Sequence, residues 1–242
     1  MRSRLEHLFV IWRAPVEGRR HVIGELWKQG AGEFAFAYAE DLAFASLAGF
    51  TPLPAFPEIR TKGSPYHSRY LFSIFAQRIP SPSRPDYEAM LAAWGVEHAD
   101  SQLTVLAASG GALQTDSLEL AEFRASTDDL CKPLEFRMSG ERHFEDAKKL
   151  SAGDVVTFRR DMTNPIDEHA TFVCDREGRP LGYVPWQYSR LFAQLLHPYG
   201  HEPVEATVIR RLEFPIGRDR WVLRARASTL RAQGLTRIET SP

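Results

Sequence analysis

The 242-residue chain has little of several things that would give a chemistry away. It has only two cysteines, Cys131 and Cys174, single and far apart. That excludes a disulfide framework and a paired-cysteine zinc knuckle, and suits a reducing cytoplasm. No apolar run approaches the roughly 18 residues of a membrane helix, so no membrane partner is expected. The opening MRSRLEHLFVIWRAP has a basic start, but Glu6 and His7 interrupt its apolar patch. It reads as a first strand rather than a signal peptide. The formal net charge is only −1, which excludes a uniformly basic nucleic-acid coat. Gly110-Gly111 lacks the Lys-Ser/Thr of a phosphate loop, and no Gly-x-Ser-x-Gly elbow occurs. His197 and His201 stand four apart, but Pro198 and Gly200 break the helix that zinc ligation at that spacing needs. No cofactor, no metal and no catalytic group are expected, and so no enzyme.

Lysine is scarce as well, with 5 against 25 arginines. Arginine offers a planar fork for phosphate or carboxylate, although a genome rich in G and C gives the same ratio. The distribution says more than the ratio. From Glu205 to the end, Arg210, Arg211, Arg218, Arg220, Arg224, Arg226, Arg231 and Arg237 face Glu205, Glu213, Asp219 and Glu239, so 8 − 4 leaves +4. Otherwise the chain is 43% hydrophobic and 25% charged, as an ordinary globular protein is.

Apolar and polar residues alternate in LEHLFVIW, RRHVIGELW and EFAFAYA, which predicts three strands. Residues 50–68 are rich in proline, and an extended loop is expected there. YLFSIFAQRI (70–79) reads as a short buried helix or strand. PDYEAMLAAWG carries the marks of a helix stopped by Gly95, and residues 101–113 those of a helix stopped by Gly110 and Gly111. DSLELAEF (116–123) reads as a strand, and the polar ASTDDLCKP (125–133) as a linker. LEFRMSG and VVTFRR then predict strands, and HATFVCD and RPLGYVP a hairpin around Arg-Glu-Gly. In the helix that follows, Tyr188, Leu191, Phe192, Leu195 and Leu196 repeat at i, i+3, i+4, i+7, i+8. EPVEATVIRRLEF and RWVLRARAST supply two more strands. The fold class is therefore α+β and β-rich. One domain spans 1–124. A second, at 134–230, is a small open barrel of OB or SH3 type with one amphipathic helix, and a flexible tail follows at 231–242.

The most specific phrase is RRDMTNPIDEHATFVCDREGRPLGYVPW (159–186). With Gly140-Glu141-Arg142-His143 and LSAGDVV before it, the second domain resembles a HIRAN domain over about Leu134 to Ser228. The marks are Gly153-Asp154, Arg160-Asp161, Asn164-Pro165-Ile166-Asp167 and Ala170, arriving in order. The resemblance implies an OB-type barrel that captures the 3′-hydroxyl end of single-stranded DNA. By it, Arg142 aligns with a phosphate-binding arginine and Asp167 with a carboxylate that accepts from the terminal hydroxyl. A guanidinium grips phosphate with two prongs, and a carboxylate repels a phosphorylated end. His143 and Ile166 stand where the family has tyrosines, and isoleucine stacks on a base less well.

The first domain resembles the N-terminal lobe of HipA-type toxin kinases over roughly 5–123, through VIWRAP, GFTPLPAFP and the later Gly-Gly-Ala. The kinase core is missing, so that resemblance implies a protein partner. Two functions follow as expectations. One is non-catalytic recognition of single-stranded DNA or DNA ends. The other is an antitoxin-like regulator bound to a HipA-like kinase or another protein. The residues expected at the nucleic-acid site are Arg142, His143, Arg160, Asn164, Ile166, Asp167, Tyr183, Trp186 and Arg224. Asp167 and Asn164 equally suit a structural role in the Asn-Pro turn. Tyr183 and Trp186 suit packing at a barrel rim better than a stacking platform, although aromatic rims are where stacking occurs. Arg159 and Arg160 are consecutive on a strand and face opposite sides, so only one of them lines a given groove.

Overall fold

The computed structural model describes residues 7–30, 32–96, 101–113, 115–122, 134–196, 204–216 and 219–225. The linker expected at 125–133, the tail at 231–242 and the His197/His201 pair lie outside the described residues. The chain divides into two compact units, Met1–Phe123 and Arg124–Pro242.

In the first unit, β1 (His7–Arg13), β2 (Arg20–Gln29), β3 (Glu33–Tyr38), β4 (Tyr66–Ser68) and β5 (Leu118–Ala121) form one antiparallel sheet in the order β4-β3-β2-β1-β5. Alternation fixes which face is covered: Leu8, Val10, Ile23, Leu26, Phe36 and Leu120 are buried in one cluster. The helices α1 (Ala43–Leu47), α2 (Ser73–Ala76), α3 (Tyr87–Trp94) and α4 (Gln102–Ser109) lie between β3 and β5 in the chain. The expected helices end at Gly95 and Gly110, as anticipated. The proline-rich segment differs from the expected loop at one end. Past Pro65 the backbone is free to pair, and Tyr66–Ser68 joins Phe34–Phe36 as β4.

Aromatic packing and one hydroxyl hold that segment down. Phe36 stacks on Phe56 at 4.3 Å, and Phe56 meets Phe72 edge-on at 5.0 Å. Tyr38 Oη donates to the Phe56 carbonyl at 2.7 Å and accepts from the Leu53 amide at 2.8 Å. Burial pushes the Tyr38 phenol up to about 12, against the opposing pull of the Leu53 hydrogen bond. A second clamp is Arg78, whose side chain is fully buried. It donates to the carbonyls of Ile74, Gly111 and Leu118, and pairs with the Asp116 carboxylate.

In the second unit, β6 (Leu134–Arg137), β7 (Val155–Arg160), β8 (Thr171–Cys174), β9 (Pro180–Tyr183), β10 (Glu205–Ile216) and β11 (Asp219–Ala225) form a sheet in the order β6-β11-β10-β7-β8-β9. The sheet curls into a half-barrel. Just past β6, Ser139 forms an isolated bridge to Tyr183, so its two edges meet. Gly182 permits the contact: a Cβ there would stand 2.6 Å from Met138 Cγ and 2.9 Å from the Ser139 carbonyl. Helix α5 (Trp186–Leu195) lays the expected stripe on the core. Phe192 packs 4.6 Å from Phe158 and 5.5 Å from Phe136, and Tyr188 and Leu195 are buried with it.

Replacing Arg78 by Ala removes the cation paired with Asp116, which keeps only the Leu118 amide, and the side-chain donor to the Gly111 and Leu118 carbonyls. We predict a loss of about 3–5 kcal/mol in the stability of the first unit, seen as a lower urea midpoint.

Candidate nucleic-acid interface

Tyr183, at the end of β9, is the meeting point of the second unit's surface features. Its backbone exchanges two hydrogen bonds with Ser139, at 2.9 and 2.8 Å. Its hydroxyl donates to Asp161 Oδ2 at 2.9 Å. Its ring lies 4.7 Å from Phe172, tilted by 31°, and meets Phe144 edge-on at 5.8 Å.

The Asn-Pro turn hangs from Asp161. This buried carboxylate accepts from the Thr163 amide at 3.1 Å, the Thr163 hydroxyl at 2.9 Å and Asn164 Nδ2 at 3.3 Å, besides Tyr183. Asn164 Oδ1 accepts in turn from the amides of Ile166 and Asp167, both at 3.0 Å. Asp167 Oδ1 takes the His169 amide at 2.8 Å. These are the side-chain-to-backbone bonds that let Asp and Asn shape turns. The turn lifts Met162 (80% exposed) and Ile166 (49% exposed) into solvent.

Burial pushes the Asp161 carboxyl up, but the hydrogen bonds from Thr163, Tyr183 and Asn164 outweigh it and hold the group below its usual range. Burial, with the bond to Asp161, raises the Tyr183 phenol to about 12.

Beside Tyr183, Gly140 takes the left-handed conformation (φ 71°) and opens a 3-10 turn at Glu141–His143. Glu141 anchors that turn from beneath, its buried carboxylate accepting from the Trp221 amide at 3.2 Å. Arg142 and His143 are left exposed, with Arg142 Nε donating to His143 Nε2 at 2.9 Å. A Cβ on Gly140 would lie 3.6 Å from the Tyr183 ring and 4.0 Å from the His143 ring, so the two rings flank this glycine.

The surface therefore joins the Arg142 turn, the rings of Tyr183, Phe172 and Phe144, and the rigid Asn-Pro turn. Against that geometry stand the comparisons with known proteins. Residues 134–222 match the family model described as the HIRAN domain. This segment is a HIRAN domain. The crystal structure of the HIRAN domain of human HLTF is 17% identical, with a TM-score of 0.31, covering 41% of this chain and 81% of that one. No curated protein matches the chain. The HIRAN match implies DNA binding for this region. It gives no support to a HipA likeness over residues 5–123, nor to a kinase partner.

Within the HIRAN domain, the expected site residues fall into two groups. Arg142, His143, Asn164, Ile166, Asp167 and Tyr183 gather on the surface built around Gly140 and Tyr183. Arg160, Trp186 and Arg224 have other engagements. Arg160 Nη2 donates to the Glu168 carbonyl at 2.5 Å, bracing the turn. Trp186 begins α5, half-buried, and its carbonyl accepts from the Ser189 hydroxyl. Arg224 Nε and Nη2 both donate to Glu135 Oε1 across the β11–β6 pair. Of the tail arginines, Arg218, Arg226, Arg231 and Arg237 lie outside the described residues.

Sequence reasoning passed over Asp161 as a site residue and Phe144 and Phe172 altogether. The available signal was register: Phe172 sits directly across from Tyr183 on one side and Arg159 on the other. Among the described residues, no group of three His, Cys, Asp or Glu could hold a metal ion, and no helix is long and apolar enough to cross a membrane.

Asp161 is lowered, so its contribution to stability is present above the ordinary carboxylate range and lost as pH falls through its depressed folded value. Tyr183 is raised, so its contribution is present below pH 10 and lost as pH climbs towards 12. Tyr183→Phe is expected to cost about 1.5–3 kcal/mol at neutral pH by leaving a buried carboxylate short of one donor. It should also flatten the stability loss between pH 10 and 12. Denaturant titrations of wild type and variant across pH 3–12 check both.

Proposed function

We propose that this protein binds single-stranded DNA through its HIRAN domain, takes the 3′ end of the strand at the Asn-Pro turn, and does no covalent chemistry there. The observation that carries the proposal is the bridge at Tyr183, which sets the Arg142 turn beside the Asp161–Asp167 turn. Arg142 is exposed and makes its bond to a neutral-type acceptor, His143, so its guanidinium is available to a phosphate. The rings of His143 and Tyr183 offer stacking surface worth about 1–3 kcal/mol per base. Asp167 spends Oδ1 on the His169 amide and presents Oδ2 to a hydroxyl donor, a role that a phosphorylated end would oppose by charge. Ile166, where the family resemblance expects an aromatic ring, adds apolar contact without stacking.

Fluorescence anisotropy with short oligonucleotides ending in a 3′-hydroxyl or a 3′-phosphate tests this directly. Wild type is expected to favour the hydroxyl end, Asp167→Asn to lose that preference, and Arg142→Ala to weaken both by roughly tenfold or more. Equal affinity for the two ends would reduce the function to general single-strand binding. No binding at low salt would overturn it.

A further inference from the structure

We propose that Arg159 and Phe172 form a second nucleotide subsite, which extends the single-strand path across the outer face of the half-barrel. The inference rests on the DNA-binding reading above and assigns residues that lie outside the 3′-end turn. Arg159, Phe172 and Tyr183 are consecutive register partners on β7, β8 and β9. Their side chains stand on one face of the sheet as a single stack. The Arg159 guanidinium lies 5.1 Å from the Phe172 ring centre, and the Phe172 ring lies 4.7 Å from that of Tyr183. Phe144 closes the row edge-on, 6.3 Å from Phe172.

Three properties suit Arg159 to hold a phosphate. It is exposed, whereas its neighbour Arg160 turns to the Glu168 carbonyl. Its guanidinium already rests against the Phe172 ring, so less freedom is lost when a ligand binds. Among the described residues no carboxylate pairs with it. The polar group it touches is the Cys174 thiol, a weak acceptor that a phosphate oxygen would outcompete. By contrast, Arg20, Arg60, Arg84, Arg179 and Arg224 are all paired with Asp or Glu.

The spacing suits a strand rather than a single phosphate. Arg159 is three strand intervals from the Gly140–His143 segment, counting β7 to β8, β8 to β9, and β9 to Ser139. At about 4.8 Å per interval that is roughly 14 Å of sheet. Between these two cations lie the rings of Phe172 and Tyr183, with Phe144 beside them and the Tyr183 hydroxyl turned to Asp161. Cation, aromatic row, cation is the arrangement that holds single-stranded backbone and bases together without reading sequence.

The test is anisotropy with oligothymidines of 3 to 12 nucleotides at several salt concentrations. The variants are Arg159→Ala, Arg159→Lys and Phe172→Leu, with the exposed Arg190→Ala as a charge control. Removing one phosphate contact should lower the slope of log affinity against log salt by about 0.7. Arg159→Ala is expected to show that drop, a several-fold weaker affinity, and a plateau reached at a shorter oligonucleotide. Arg159→Lys should keep the slope but lose affinity, because a lysine point charge lacks the planar fork that grips phosphate and packs on an aromatic ring. Phe172→Leu should behave likewise, and Arg190→Ala should match wild type. Circular dichroism confirms that each variant is folded. An Arg159→Ala variant with wild-type slope, affinity and plateau would overturn the subsite while leaving the end-binding reading intact. A wild type that binds no oligothymidine would overturn both.

Discussion

The hydrogen bond from Tyr183 to Asp161 is the interaction on which the second unit's surface depends. Asp161 is buried, and a buried carboxylate must be satisfied on all sides or neutralised. Three of its donors come from Thr163 and Asn164, within its own turn. The fourth comes from a strand that is itself joined to the opposite edge of the sheet. One bond thus couples the closing of the half-barrel to the shape of the Asn-Pro turn. If it breaks, the turn loses its tie to β9.

That coupling explains how a chain of net charge −1 can present a surface suited to an anionic polymer. Three of the carboxylates around Tyr183 are engaged wholly or in part, while Glu168 stays in solvent near His169. Asp161 is surrounded by donors, Asp167 is half engaged by the His169 amide, and Glu141 is buried under the Trp221 amide. The guanidiniums of Arg142 and Arg159 remain outward, one beside His143 and the other on Phe172. Local arrangement, rather than total charge, sets the field a strand end would meet.

Much of this was legible in the sequence, where local chemistry dictates local structure. The α5 stripe, the hairpin turning on Asp175–Arg179, and Asn164 and Asp167 as turn residues all follow from periodicity and side-chain-to-backbone bonding. Arg224 was legible as a strand arginine but not as the partner of Glu135, because the β6–β11 pairing joins residues 89 apart. Arg160 was favoured over Arg159 because it stands in the family phrase, although pleating allows only one of them to face the rings. The decision lay in the register with β8, which adjacency along the chain does not reveal. The first unit makes the same point. Its proline-rich segment serves to bring the Phe56 carbonyl and Leu53 amide to Tyr38, and its Gly-Gly step places a carbonyl on Arg78. These features have local structural uses and do not require a kinase lobe.

The central claim is that the surface around Tyr183 is where single-stranded DNA lies. Amide hydrogen exchange of the full chain, with and without a saturating 3′-hydroxyl oligonucleotide, tests it most directly. The account predicts new protection confined to residues 139–144, 159–172 and 181–184, with the amides of Ile166, Asp167 and His169 among the most slowed. Protection elsewhere, with these segments unchanged, would contradict it.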